Sequence, residues 1–179
     1  RWIPLAFTWT GLRALGVPDD ALATFPDEFR EGMGARADIL GDTGDNAPEH
    51  WVGGLAGDDV HAIAILFARD DAEHRRCIGE HDALVARTDG VRTLSYLDLN
   101  ANPPFNYAHD LFGFRDRLSQ PVMLGSGEQP TPGSGPALEP AVFILGYQRE
   151  YGPPHDLPEP EALSRNGAFM AYRRLEEHV

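Results

Sequence analysis

The sequence has almost no sulfur chemistry to offer: Cys77 is its single cysteine. One thiol excludes an internal disulfide and any multi-cysteine metal site. Its apolar, helix-like surroundings predict core filling, which is compatible with a reducing compartment. No apolar run reaches the roughly 18 residues that a membrane-spanning helix needs, so no membrane partner is expected. The opening residues, Arg1-Trp2-Ile3-Pro4-Leu5, lack the uninterrupted apolar core of a secretory signal, and no Met begins the chain. We read this N-terminus as a cut end. A cytoplasmic location is expected, with export or packaging inside a protein shell left open. Positive charge is also scarce, with 15 Lys and Arg against 28 Asp and Glu and a net charge of −13. Such a surface repels phosphate backbones, so nucleic acid is not an expected partner. No dinucleotide or phosphate loop, His/Glu zinc motif or serine nucleophile elbow is present.

What remains is a chain of 179 residues, 42% hydrophobic, long enough for one domain with a proper core. Residues 2–10 alternate, with Ile3, Leu5, Phe7 and Trp9 on one side, which predicts a strand with one buried face, ended by Gly11. A short helical turn is expected over Leu12 to Leu15. Pro18-Asp19-Asp20 and Pro26-Asp27-Glu28 each open a helix, the second running to about Leu40. Residues 41–59 hold five glycines and many acidic residues and read as a loop. Asp42, Asp45 and Asn46 do not match the spacing of a calcium loop. Val60 to Phe67 predicts a buried strand. Asp70 with Glu73 three residues on predicts a capping box opening a helix. Cys77, Ile78, His81, Leu84 and Val85 follow at helical spacing until Asp89-Gly90. Further strands are expected over Val91 to Leu99, Val142 to Tyr147 and Gly167 to Leu175. Between them, residues 100–140 are rich in proline and glycine, and insertions of that length are usually functional. The simplest architecture is α+β, a sheet with helices on one face.

Chemistry concentrates in Phe112-Gly113-Phe114-Arg115-Asp116-Arg117-Leu118-Ser119-Gln120-Pro121. This run resembles the GxxDG-type segment of dye-decolorising (DyP-type) haem peroxidases, which is usually followed by Ile-Ser-Gln-Pro. Three further blocks are similar, in the family's order. They are Gly41-Asp42-Thr43-Gly44-Asp45-Asn46-Ala47-Pro48-Glu49-His50-Trp51, then Phe143-Ile144-Leu145-Gly146-Tyr147, then Arg165-Asn166-Gly167 through Arg173-Arg174-Leu175.

The resemblance implies a ferredoxin-like α+β fold with a long haem-facing loop insertion, haem b as cofactor and hydrogen peroxide as oxidant. It implies an aromatic dye or phenol as reductant, and a homo-oligomer. Asp116 takes the place of the family's distal aspartate, implying a proton shuttle that accepts a proton from peroxide and returns it to the leaving oxygen. Arg115 and Arg117 flank it. They hold Asp116 ionised, meet a haem propionate, or are solvated loop arginines. Gly113, Phe114, Ser119 and Gln120 complete the implied cofactor-binding set. Arg117 stands where the family has a second glycine, a residue that permits close backbone approach, so a pocket of different shape is expected.

The family's proximal iron-ligating histidine and distal arginine come from its C-terminal half. None of the seven histidines here falls in a matching block, so no metal ligand is assigned. His61 and His81 read as packing residues, and His109 precedes the key segment without matching a ligand position. The chain is therefore expected to be a single N-terminal domain, 1–179, with the C-terminal half absent. Two other readings stay open. One is a truncated, non-catalytic α+β module or assembly domain, and the other is a relative with different haem chemistry. The surface aromatics Trp2, Trp9, Trp51, Tyr96, Tyr107, Tyr147, Tyr151 and Tyr172 read as packing residues first and electron relays second.

Overall fold

A computed structural model describes residues 1–97, 109, 114–115, 121–149, 152 and 157–176. The chain divides into two compact units, Arg1–Leu97 and Asp98–Val179. The architecture is α+β, with a small antiparallel two-stranded sheet and helices.

In the first unit, β1 (Leu5–Phe7) pairs with β2 (Ala62–Ala64), Ala6 facing Ile63. A further bridge joins Trp2 to Phe67, whose rings stack with centroids 5.2 Å apart. The strand expected over 2–10 stops at Phe7 because Thr8 caps the next helix. Its hydroxyl accepts from the Gly11 amide at 2.9 Å, and α1 (Trp9–Ala14) begins at once. Trp9 and Gly11 are thus helical. The expected buried face is also reversed: Ala6 and Ile63 are half-buried, whereas Leu5 is 60% exposed and Phe7 and Phe67 are exposed. A two-stranded ribbon with one covered face cannot bury the long apolar side chains of its other face. The buried strand expected over Val60 to Phe67 is corrected for the same reason.

The core of this unit gathers Ala21, Leu22, Phe25, Ala37 and Cys77. Cys77 is 3% exposed, as its helical context predicts. Pro18 and Pro26 each cap a helix, α2 (Asp19–Leu22) and α3 (Asp27–Ala35), one position earlier than the sequence reading put them. The expected helix to Leu40 is broken. Gly32 takes φ 74°, kinking α3, and α4 (Ala37–Leu40) follows separately. The glycine-rich stretch 41–59 contains two 3₁₀ turns, Gly44–Asn46 and Pro48–His50, closed by the Trp51 indole N–H donating to the Asn46 carbonyl at 2.9 Å.

Helix α5 (Asp71–Ala86) opens on the capping box. An Asp70 carboxylate oxygen accepts from the Glu73 amide at 2.8 Å, and Glu73 accepts in return from the Arg69 amide at 2.9 Å. The backbone N–H of Glu73, then Arg69, hold Asp70 below the ordinary carboxylate range. The Arg69 amide leads the same lowering at Glu73, and the Arg1 guanidinium leads it at Glu80. A carboxylate with a depressed folded-state pKa stabilises fully above its unfolded pKa, and that contribution disappears as pH falls through the folded value. Far-UV ellipticity should therefore hold steady from neutral pH to the ordinary carboxylate range and decline only below it. A decline beginning near pH 6 would contradict this account of the cap.

Residues 91–97 carry the expected strand-like sequence but form no ladder and are exposed; residues 98 and 99 lie outside the described residues. Strand-forming side chains need a partner strand, and β1 and β2 offer none here.

The second unit buries Val122, Ala141, Pro158 and Ser164. Val122 and Leu124 exchange backbone hydrogen bonds with Leu138 around a parallel Met123–Leu138 bridge. The strand expected over 142–147 is replaced by a 3₁₀ turn, Pro140–Val142, and further turns through Gly146 at φ 91°. The strand expected from Gly167 is likewise absent among the described residues. The two segments meet in a clasp rather than a ladder. Leu145 donates to the Gly167 carbonyl at 2.8 Å, and Asn166 donates to the Leu145 carbonyl at 3.1 Å. The Tyr147 hydroxyl donates to Asn166 Oδ1 at 2.7 Å, and the Arg165 guanidinium lies 5.6 Å from the Tyr147 ring centre. Arg165 leaves no room for a side chain at position 146, since a Cβ there would approach it to 2.9 Å.

Candidate functional site

Of the residues expected to form the site, Phe114 and Arg115 are described, while Gly113, Asp116, Arg117, Ser119 and Gln120 lie outside the described residues. Phe114 is 55% exposed, and Arg115 is exposed too. Arg115 forms an antiparallel bridge with His109. Directly opposite residues of such a bridge project their side chains to the same face, with Cβ atoms roughly 5 Å apart.

His109 is half-buried, yet its Nδ1 is fully enclosed and has no hydrogen-bond partner. Buried polar atoms are normally partnered, so this nitrogen is an exception among the described residues. Sequence reasoning missed this pairing. A separation of six residues matches neither helical nor strand periodicity, and closeness to the key segment was the only available signal.

Elsewhere the packing reading of two histidines is corrected. His61 and His81 are exposed, the first because β2 is a ribbon strand and the second because α5 packs through Cys77. Among the described residues, no group of three or more His, Cys, Asp or Glu gathers into a metal-binding arrangement. Trp9 packs locally: its indole N–H donates to the Leu22 carbonyl at 3.4 Å, with Arg13 over its ring.

Comparison with known proteins defines the class. Residues 2–89 match the family described as the DyP dimeric alpha+beta barrel domain. The chain is 29% identical over 177 residues to the dye-decolorizing peroxidase of Mycena epipterygia, covering 99% of this chain and 31% of that protein. It is 30% identical over 180 residues to the dye-decolorizing peroxidase of Exidia glandulosa, covering 98% and 32%. It is 29% identical over 177 residues to Peroxidase 2 of Mycetinis scorodonius, covering 99% and 32%. Residues 2–89 thus match the DyP-type domain, and the chain is similar to dye-decolorizing peroxidases over nearly its whole length. It spans about one third of the length of the curated relatives it matches.

Proposed function

We propose that the protein acts as a haem-dependent peroxidase that uses hydrogen peroxide to oxidise aromatic dyes or phenols, with Asp116 as its acid–base residue. The observation that carries this reading is the similarity to dye-decolorizing peroxidases over 98–99% of the chain, a span that includes the Phe112–Pro121 segment. Asp116 rests on that motif alone. The same reading takes residues 1–179 as one ferredoxin-like domain whose helices cover one sheet face. Residues 100–140 then form the loop that faces haem, and two or more copies assemble.

The fit to haem can be tried at Phe114 and Arg115, both exposed: an aromatic ring and a guanidinium suit a ligand that carries both an apolar plate and anionic oxygens. Bound haem b supplies the iron at which peroxide reacts. The chain's own residues bind and move protons. An Asp116 carboxylate oxygen accepts a proton from peroxide and hands it to the departing oxygen. Arg115 and Arg117 hold that carboxylate ionised or neutralise a propionate. Phe114 presents an aromatic surface, and the motif assigns Gly113, Ser119 and Gln120 to cofactor binding with it.

An absorption spectrum of the purified protein mixed with hemin tests this reading. A sharp Soret band that shifts when peroxide is added would mean that the chain binds haem by itself, through a ligand that no motif here marks. A spectrum indistinguishable from free hemin would mean that the chain carries only the distal half of the site, and the reading is then decided by the effect of Asp116→Asn on the peroxide reaction of the full-length protein.

A further inference from the structure

We infer that Asn166 is a deamidation site, converted to aspartate and isoaspartate through a cyclic imide with Gly167, at a rate set by opening of the clasp between residues 145–147 and 165–167. The inference is independent of the haem reading.

The chemistry needs a carboxamide, the backbone nitrogen that follows it, and no side chain to shield that nitrogen. Asn166 is the only asparagine in the chain followed by glycine. It is exposed, so water reaches its carboxamide, and its φ of 63° lies in the left-handed region. In the reaction the Gly167 nitrogen gives its proton to hydroxide and bonds to Asn166 Cγ. The Cγ–Nδ2 bond breaks, and Nδ2 takes a proton from water and leaves as ammonia. Water then adds to either carbonyl of the five-membered ring, opening it to aspartate or isoaspartate. Water is the only co-reactant.

The clasp holds both reacting groups away from this step. The Gly167 N–H donates to the Ser164 carbonyl at 3.0 Å, and Asn166 Oδ1 accepts from the Tyr147 hydroxyl at 2.7 Å. The flanking backbone is pinned to Leu145 through the Asn166 N–H and the Gly167 carbonyl. For Cγ to meet the Gly167 nitrogen, the carboxamide must leave Tyr147 and the amide must leave Ser164, which is a local opening. Isoaspartate then routes the main chain through Cβ. The longer path takes the two hydrogen bonds to Leu145 out of their common register, so the modification loosens the clasp that delayed it.

The experiment incubates folded wild-type protein, Tyr147→Phe and a synthetic peptide of residues 162–176 in 18O-water at physiological temperature and pH. Digestion at glutamate and mass spectrometry then measure 18O-labelled aspartate and isoaspartate at position 166. The peptide should convert fastest and the wild-type protein slowest. Tyr147→Phe deletes one hydrogen bond to the carboxamide and should convert about twofold to tenfold faster than wild type. Far-UV spectra establish that the variant is folded. Where phenylalanine unfolds the unit, wild type in sub-denaturing urea stands in, and its rate should climb toward that of the peptide. A wild-type rate equal to that of the peptide would overturn control by the clasp, and so would equal rates for wild type and folded Tyr147→Phe. No label at position 166 in the folded proteins, after the peptide has converted completely, would overturn the site itself.

Discussion

Replacing Gly11 with alanine should destabilise the first unit by about 3 kcal/mol or more, through overpacking and lost hydrogen bonds. A Cβ at this position would lie 1.9 Å from the His61 carbonyl oxygen and 2.7 Å from its carbon. The Cβ position is fixed by the backbone and its partner is a backbone carbonyl, so no rotamer change relieves the clash. Helix α1 would have to retreat by about 1 Å or more to restore ordinary contact. Yet α1 is fastened at this very point. The Thr8 amide donates to the His61 carbonyl at 3.1 Å, and the Thr8 hydroxyl donates to the Val60 carbonyl at 2.7 Å. The Thr10 hydroxyl donates to the Asp58 carbonyl at 3.3 Å. A retreat stretches all three and disturbs the Thr8 cap. Trp2, Trp9 and Trp51 are the protein's three tryptophans, and all lie within Arg1–Leu97. Urea unfolding followed by their fluorescence therefore reads this unit alone. The matched control is Gly79→Ala. Gly79 lies inside α5, where an added Cβ meets nothing within 4 Å. That change should be neutral or stabilise by about 0.5–1 kcal/mol. A Gly11→Ala midpoint equal to wild type would show that the approach of α1 to residue 61 is not a fixed feature of the fold.

The same region shows which structure was legible in the sequence. Local chemistry read well. Asp70 and Glu73 make their capping hydrogen bonds without help from distant residues, and both helix-opening prolines lie where their fixed φ is useful. Alternation read poorly. Ile3, Leu5 and Phe7 do alternate, but whether such a face is covered depends on what lies across it, which no local pattern encodes. Thr8 then settled a local competition, ending the strand before Trp9 could join it. The segments at 91–97 and 142–147 have strand composition without strand structure, because a ladder needs a neighbour as well as a propensity. At the candidate site, the motif singled out Arg115, but the bridge that sets His109 opposite it is a pairing of non-periodic positions. Chain reversal, rather than side-chain spacing, sets those two residues opposite each other.

The larger functional effect is expected at Asp116. On the peroxidase reading, Asp116→Asn should lower the rate of reaction with peroxide by about 10²- to 10⁴-fold, the range that a positioned acid–base group contributes. Asparagine keeps the size and polarity of the side chain, but its amide cannot accept a proton at peroxide and release it to the leaving oxygen. The loss should therefore appear in the peroxide step while hemin affinity stays near wild type. Asp116→Glu should recover part of the rate, since it restores the ionisable group one methylene out of place. Stopped-flow spectra at the Soret band, taken with each protein saturated with hemin, measure the peroxide step directly. An Asp116→Asn rate equal to wild type would remove Asp116 from the chemistry. The acid–base role would then have to pass to a group that the Phe112–Pro121 motif does not mark.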